Sequence, residues 1–433
     1  VITNRVPFTP VDELACWLDG PSEPNNVHLE AVVEGHLDPA RLHAAVLDAL
    51  DAHPLARARR LAPRPWHWRA IWEIADHPDV SPVEEVRWTT ATDLARQRHR
   101  LLADAPPLGL APPLRVRHAA GPDSDVILLS AHHALLDGLS CLRLLRSIAC
   151  RYAGRPDPAP TNPLAVREPP LVGGERLHAP KGRLRPAARI AADRAHPLPG
   201  YGFERLTLPC LPRTGHGTGA PVGTVNDIMI VALAAAIAAW NAAHGADTGD
   251  LRITMPINAR PPGPEGEPLG NLSRLASIGI DHDARHSPRR LLSSVAAQTA
   301  QAKHAAGPQL DPLTRALALP WCPTAMRARL VRLAHRIGAH RFSDTSLVSN
   351  LGAVREPLDF GPGAPVGKLW FSTPAPMPRG LSLGAITLRN ELHLCFRYRR
   401  ALFDEAAAVW FVEMFRRAVA TIDDPRLIGE AAA

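Results

Sequence analysis

Residues 125–154, DVILLSAHHALLDGLSCLRLLRSIACRYAG, constrain the fold of this chain more than any other stretch. The first seven form a short apolar run rich in Val, Ile and Leu, with Gly and Pro just upstream, and predict a buried strand. From 139 to 152, Leu142, Leu144, Leu145, Ile148, Ala149 and Tyr152 recur at helical spacing, and Gly154 ends the run. Between strand and helix stand His132, His133, Asp137 and Gly138. Two imidazoles and a carboxylate at the end of a buried strand are costly unless they are paired or put to use. The chemistry is expected there.

A chain of 433 residues exceeds one ordinary core, so two halves are expected. Its 46% hydrophobic and 21% charged residues fit a soluble globular protein. The formal charge is +7, yet Arg is scattered, Lys is scarce, and no zinc-finger or RNA-binding signature appears. Nucleic acid is therefore not an expected partner. An acidic partner, such as a phosphorylated cofactor or an acidic protein, suits the excess, as does a solvated surface with no partner. Cys16, Cys141, Cys150, Cys210, Cys322 and Cys395 lie far apart with no CxxC pair, as reduced thiols of a cytoplasmic protein would. The first ten residues carry no secretory signal pattern. The longest apolar run, 228–240, is short of the roughly 20 residues of a membrane span.

Along the chain, helices are predicted from Pro10, from Asp38-Pro39 through Leu50, over 92–102, over 287–302 and 323–336, and from Asp404 to the end near 422. The helix over 323–336 has a basic outer face. No helix with a membrane-facing apolar stripe is evident. Strands are predicted over 27–35, 114–118, 203–208, 251–256, 345–350, 383–388 and 392–398. Trp66, Trp68 and Trp72 fall at even spacing, which one strand face could hold, packed or as a stacking platform. The run TVNDIMIVALAAAIAAW, 224–240, is apolar on nearly all sides and predicts a buried helix with Asn226 or Asp227 as cap. Pro, Arg and Gly dominate 155–200 without a sustained period, as in a crossing linker. The expected division is a first half over 1–160, a linker over 161–200 and a second half over 201–433.

The central motif, His132 to Gly138, reads HHxxxDG. A histidine of near-neutral pKa suits general-base work on an alcohol or amine. Asp137 is expected to fix the loop and the imidazole, and Gly138 to let the backbone turn into the helix. No metal is expected, because the spacing matches no zinc pattern and adjacent histidines after a strand point to opposite faces. A purely structural histidine pair is the remaining alternative.

The motif, with its strand and helix, resembles the CoA-dependent acyltransferase superfamily, which includes chloramphenicol acetyltransferase, nonribosomal peptide condensation domains, wax ester synthases and polyketide-associated acyltransferases. The similarity continues through Phe8-Thr9-Pro10-Val11-Asp12, the HPLARAR run from His53, Thr224-Val225-Asn226-Asp227, Pro256-Ile257-Asn258-Ala259-Arg260, Gly270-Asn271 and Val348-Ser349-Asn350-Leu351-Gly352. It runs with gaps from about 8 to 420, nearly the whole chain. Asp359-Phe360-Gly361 resembles the DFGWG motif of plant members, but Pro362 replaces the Trp, and the match is read as a loop coincidence.

The resemblance implies an α/β fold of two chloramphenicol-acetyltransferase-like halves in a V-shaped pseudo-dimer with a central tunnel. It implies His133 as general base, His132 as support, Asp137 as structural carboxylate and Arg260 as its ion-pair partner. Ser349, Asn350, Asn271 and Asn226 are the substrate or oxyanion candidates it offers, with a helix-cap role as the alternative for Asn226. The implied reaction moves an acyl group from a CoA or carrier-protein thioester to an alcohol or amine. It requires no bound cofactor beyond the acyl-CoA or acyl-phosphopantetheine co-substrate. Expected partners are a small-molecule acceptor and an acyl or peptidyl carrier protein, and the chain is expected to stand alone in natural-product biosynthesis. Two alternatives stay open: a cyclisation or other rearrangement of a carrier-bound substrate, and a non-catalytic docking protein. The intact HHxxxDG argues against the second.

Overall fold

The computed structural model describes residues 4–62, 64, 67–158, 186–194, 198–211, 223–260, 268–304, 322–356 and 358–423. In chain order the first part holds β1 (Arg5–Pro7), α1 (Pro10–Trp17), β2 (Asn26–Glu34), α2 (Pro39–Ala52), β3 (Ala58–Arg60), β4 (Ile71–Ile74) and β5 (Val83–Arg87). There follow α3 (Ala91–Ala103), β6 (Leu114–Ala120), β7 (Ser124–His132) and α4 (Gly138–Tyr152). The second part holds β8 (Tyr201–Pro209), α5 (Val225–Ala243), β9 (Leu251–Asn258), β10 (Ser273–Ile280), α6 (Pro288–His304) and α7 (Thr324–Phe342). It closes with β11 (Ser346–Ala353), β12 (Val366–Ser372), β13 (Leu381–Leu388), β14 (Glu391–Arg399) and α8 (Glu405–Asp423).

The strand predicted at the centre of the motif is the middle of a five-stranded sheet ordered β12-β2-β7-β6-β5. Its alternate residues Ile127, Leu129 and Ala131 enter the first core with α2 and α4, while Val126 and Leu128 pack with Leu94 and Leu101 of α3. Burial on both faces explains why this strand reads as a continuous apolar run rather than an alternating one. A six-stranded sheet, β10-β9-β11-β13-β14-β8, carries the second core with α5, α6 and α8. Strands and helices mix in both parts, as expected for an α/β sandwich built twice.

The sheets do not divide where the sequence suggests. Strand β12 leaves the second part and pairs antiparallel with β2, setting Trp370 opposite Glu30 and Phe371 opposite Leu29. Leu358, Phe360, Val366, Leu369 and Phe371 all belong to the first core. No strand is predicted there because Gly367 and Lys368 interrupt the alternation at a register shift. Of the expected linker, 161–185 and 195–197 lie outside the described residues, while Ala188 and Ile190 join the second core.

Three local expectations change. Trp66 lies outside the described residues, and Trp68 precedes β4 and is 54% exposed. Trp72 is buried, stacked on Phe8 at 4.0 Å, and donates its indole N–H to Asp12 at 3.2 Å. The chain bends at 68–69 before the strand begins, so Trp68 and Trp72 do not share a strand face. Helix α5 starts at the N-cap Thr224, which forms a reciprocal capping box with Asp227, so Asp227 helps cap the first turn and Asn226 does not. By length and hydropathy α5 could cross a membrane, but most of it is buried within the second core. Phe360 of the Asp-Phe-Gly segment packs edge-on against Tyr152 of α4 at 5.6 Å, and Arg155 pairs with Asp359 at 3.0 Å, so this segment holds the end of α4.

Candidate active site

The turn from β7 into α4 is held by backbone and imidazole together. His132, the last residue of β7, stands opposite Asn26 of β2 and is buried. Its Nδ1 accepts the Ala134 N–H at 3.1 Å, so in the neutral ring the proton sits on Nε2, which faces Asp19 at 3.5 Å. Burial alone would raise the Asp19 carboxyl; the His132 imidazole and the Asn25 N–H outweigh it and hold it below its usual value.

His133 is oriented the opposite way. Its backbone N–H donates to the Asn25 carbonyl at 2.8 Å, and its carbonyl accepts from Asn271 Nδ2 at 2.8 Å. Its ring Nδ1 lies 3.2 Å from the Leu136 carbonyl, a group that only accepts, so Nδ1 carries the proton and Nε2 keeps the lone pair. Burial pushes the His133 pKa below 6.5, more than the Asp137 charge and the Leu136 carbonyl pull it back. The ring is thus a neutral base at physiological pH.

Asp137 caps α4 and joins the two parts of the chain. Its Oδ1 accepts the Ser140 N–H at 2.9 Å and Arg260 Nη2 at 2.7 Å. Its Oδ2 accepts Arg260 Nη1 and the Leu272 N–H, each at 3.0 Å, and the Ser273 hydroxyl at 3.2 Å. The Asp137 N–H donates to the Gly270 carbonyl at 3.2 Å, and Ser140 Oγ takes a further bond from Arg260 at 2.7 Å. Both side chains are almost fully enclosed, Arg260 at 1% and Asp137 at 3% exposure. Burial would raise the Asp137 carboxyl, but the Arg260 charge and these donors hold it below its ordinary value. The carboxylate spends its lone pairs on the scaffold and works by position.

Gly138 is needed for space. A Cβ there would meet the Phe371 ring at 2.6 Å and Leu351 at 2.8 Å. Unlike the glycines at positive φ, it needs no left-handed backbone, which corrects the expected turning role. The side chains that demand it come from β12 and β11, both in the second part of the chain. Of the other candidates, Asn271 reaches the His133 carbonyl directly. Ser349 is buried on β11 opposite Gly384, two residues before Leu351. Asn350 closes its own turn by accepting the Gly352 N–H at 2.8 Å, and Asn226 directs its amide to Met255 Sδ on β9. Sequence reasoning missed Asp19, Asn25, Ser140, Leu272 and Phe371. Only Ser140 left a signal, as the third residue after a capping Asp; the others act through contacts between remote segments.

Beyond His132, the same face of the sheet meets the second part of the chain. His28 stands opposite Ser130, two residues before His132. A small cavity of about 30 Å³ lies there, lined by His28, Glu30, Leu128, Phe203, Trp370 and Cys395 among others. Glu30 accepts from Arg98 at 2.7 Å and from Arg205 of β8 at 2.9 Å, and Arg397 of β14 clamps Asn26 at 2.8 and 2.9 Å. This cavity is walled by both parts of the chain, but neither His132 nor His133 lines it.

No family model matches the chain. It is 31% identical over 414 residues to an uncharacterized protein of Mycobacterium tuberculosis, Rv2305 in strain H37Rv, covering 92% of this chain and 94% of that one. A 150-residue stretch, 33% of this chain, is 35% identical to 2% of CymA, a probable nonribosomal peptide synthetase of Salinispora arenicola. Among solved structures, the first condensation domain of the calcium-dependent antibiotic synthetase, in complex with a substrate analogue, superposes with a TM-score of 0.68 at 17% identity, covering 97% of each chain. The starter condensation domain of rhizomide synthetase RzmA, in complex with C8-CoA, gives 0.67 at 15% identity over 97% of this chain and 95% of that one. With condensation domains superposing over nearly the whole of each chain, this chain has the condensation-domain fold of two chloramphenicol-acetyltransferase-like halves.

Proposed function

We propose that this chain is an acyltransferase that moves an acyl group from a thioester, on CoA or on a carrier protein's phosphopantetheine arm, to an alcohol or amine. The observation that carries the reading is the orientation of His133. Its Nδ1 is committed to the Leu136 carbonyl and its pKa is lowered by burial, so Nε2 offers a lone pair in a neutral ring. Nε2 takes the proton of the attacking O–H or N–H as the nucleophile bonds to the thioester carbonyl. The C–S bond then breaks, and the imidazolium returns the proton to the departing thiolate, giving ester or amide and free thiol. No covalent acyl-enzyme is needed. Holding both reactants in register supplies much of the rate, and the base adds roughly 10²–10⁴-fold.

Asp137 and Arg260 position this loop without touching substrate. Ser349, two residues from the leucine that contacts Gly138, is the proposed hydroxyl donor to the carbonyl oxygen in the transition state. A thioester donor is supported by the solved relative that holds C8-CoA in the same fold. The reading takes the two halves as a V with donor and acceptor entering from different sides, and the acceptor as a small molecule. The reading includes a carrier protein as one donor source and natural-product biosynthesis as the setting.

The test is thiol release from a panel of acyl-CoAs and acyl carrier proteins with pooled alcohols and amines, read with product mass. Release that requires an acceptor and disappears in His133→Ala, while that variant melts like the parent, is the expected result. Undiminished turnover in His133→Ala would overturn the mechanism, and donor binding without thiol release would overturn transfer.

A further inference from the structure

Helix α7 presents a surface that the acyl-transfer reading does not use. The sequence pattern predicted a helix ending at 336; it continues to Phe342, and its added turns complete an apolar stripe. Met326, Leu330, Leu333 and Ile337 recur at i, i+4, i+7 and i+11, which places them on one side of the helix. These four are 48–75% exposed, and Phe342 in the last turn is 60% exposed. The inner side is fully engaged: Val331 is buried, Arg327 pairs with Glu13 of α1 at 2.7 Å, and Arg332 donates to the Trp17 carbonyl at 3.3 Å.

Charge on this helix has one sign. Thr324–Phe342 contains five arginines, two histidines and no carboxylate. With Arg327 buried and Arg332 turned to the Trp17 carbonyl, Arg329, Arg336 and Arg341 remain on the exposed side. At about 100° per residue, Arg329 and Arg336 border the apolar stripe on one side and Arg341 on the other. The exposed Trp68 stands beside the first turn, where the Thr324 N–H donates to the His67 carbonyl at 2.9 Å and Arg327 to the Trp68 carbonyl. Tryptophan is the side chain best suited to a boundary between apolar and wet surroundings.

We infer that α7 is a peripheral docking surface for an anionic lipid membrane, lying in the interface plane with Met326, Leu330, Leu333 and Ile337 inserted and its arginines on the headgroups. Charge complementarity selects the occupant's sign, since a carboxylate-free basic helix is drawn to an anionic leaflet. The exposed apolar stripe selects lipid over an acidic protein, because a membrane interface takes large aliphatic side chains and arginine heads at once. This inference goes beyond acyl transfer and does not depend on it.

The test is co-sedimentation of the full chain with vesicles of phosphatidylcholine alone and with added phosphatidylglycerol, at low and high salt. Partition into the phosphatidylglycerol vesicles, weakened by salt, is expected. The double variants Leu333→Glu/Ile337→Glu and Arg329→Gln/Arg336→Gln should each weaken it about tenfold or more. Both should melt like the parent, because the replaced side chains already face solvent. Absence of partition into phosphatidylglycerol vesicles, or partition unchanged in Leu333→Glu/Ile337→Glu, would overturn the inference. So would a stripe that, without any vesicle binding, holds a second copy of the chain or an acidic carrier protein and releases it in that variant.

Discussion

Arg260 closes both of its terminal nitrogens on Asp137, at 2.7 and 3.0 Å, although 123 positions separate the two residues. The pair lies one residue before the start of α4 and ties the loop that carries His133 to the segment after β9. Removing one partner leaves the other charge buried, the costly case for an ion pair. Asp137→Ala and Arg260→Met are each expected to lower stability by about 3–5 kcal/mol. Denaturant titration checks this, and a variant as stable as the parent would show that the pair does not join the halves.

Gly138 makes a second joint at the same place. Gly138→Ala should cost about 1–3 kcal/mol by overpacking, because its methyl group meets Phe371 and Leu351. Phe371→Leu removes the nearest ring atoms, so the double variant Gly138→Ala/Phe371→Leu should lose less than the sum of the singles. A double-mutant cycle measures this coupling, and strict additivity would mean that β12 does not set the space at Gly138.

The pH profile of thiol release reports His133. Burial lowers its pKa below 6.5, so the free enzyme should hold the neutral base throughout the neutral range. The acid limb of kcat/KM should therefore lie below the ordinary histidine value. A limb at or above 6.5 would contradict the buried, Leu136-bonded geometry.

Acid stability should depend on Asp125, at the other end of β7. His118 Nε2 stands 2.7 Å from its Oδ2, His36 Nδ1 3.0 Å from its Oδ1, and the Leu37 N–H donates at 2.9 Å. Burial opposes ionisation, but these donors prevail and bring the carboxyl down from 3.8 to about 2. A depressed carboxyl stabilises above its unfolded pKa, so the contribution is complete above about pH 4 and fades as pH falls toward 2. Asp125→Asn should lose stability at neutral pH and show a flatter decline over that acid window, measured by thermal melts against pH.

How much of this was legible depends on the range of the interaction. The strand over 125–131 and the helix after it were readable because a doubly buried strand is uninterrupted apolar sequence and a half-buried helix repeats every three to four residues. The HHxxxDG spacing marked the loop, and the resemblance paired Asp137 with Arg260, which the structure places in contact. Other elements were not readable. Strand β12 has no clean alternation, because a register shift interrupts it and its neighbour β2 lies more than three hundred residues earlier. Gly138 looked like a turn residue, since nothing nearby in the chain announces the phenyl ring that occupies its missing side chain.

The sequence by itself determined the candidate loop and the periodic elements that frame it, because hydrophobic period and capping residues act over a few positions. Only the tertiary structure decided which nitrogen of each imidazole holds its proton, which side chains enclose Asp137, and that a strand from the second part completes the first sheet. It also decided that the apolar side of α7 faces outward. Those outcomes rest on donors, acceptors and surfaces brought together from distant segments, and burial, which sets both their cost and their charge state, exists only once the chain is packed.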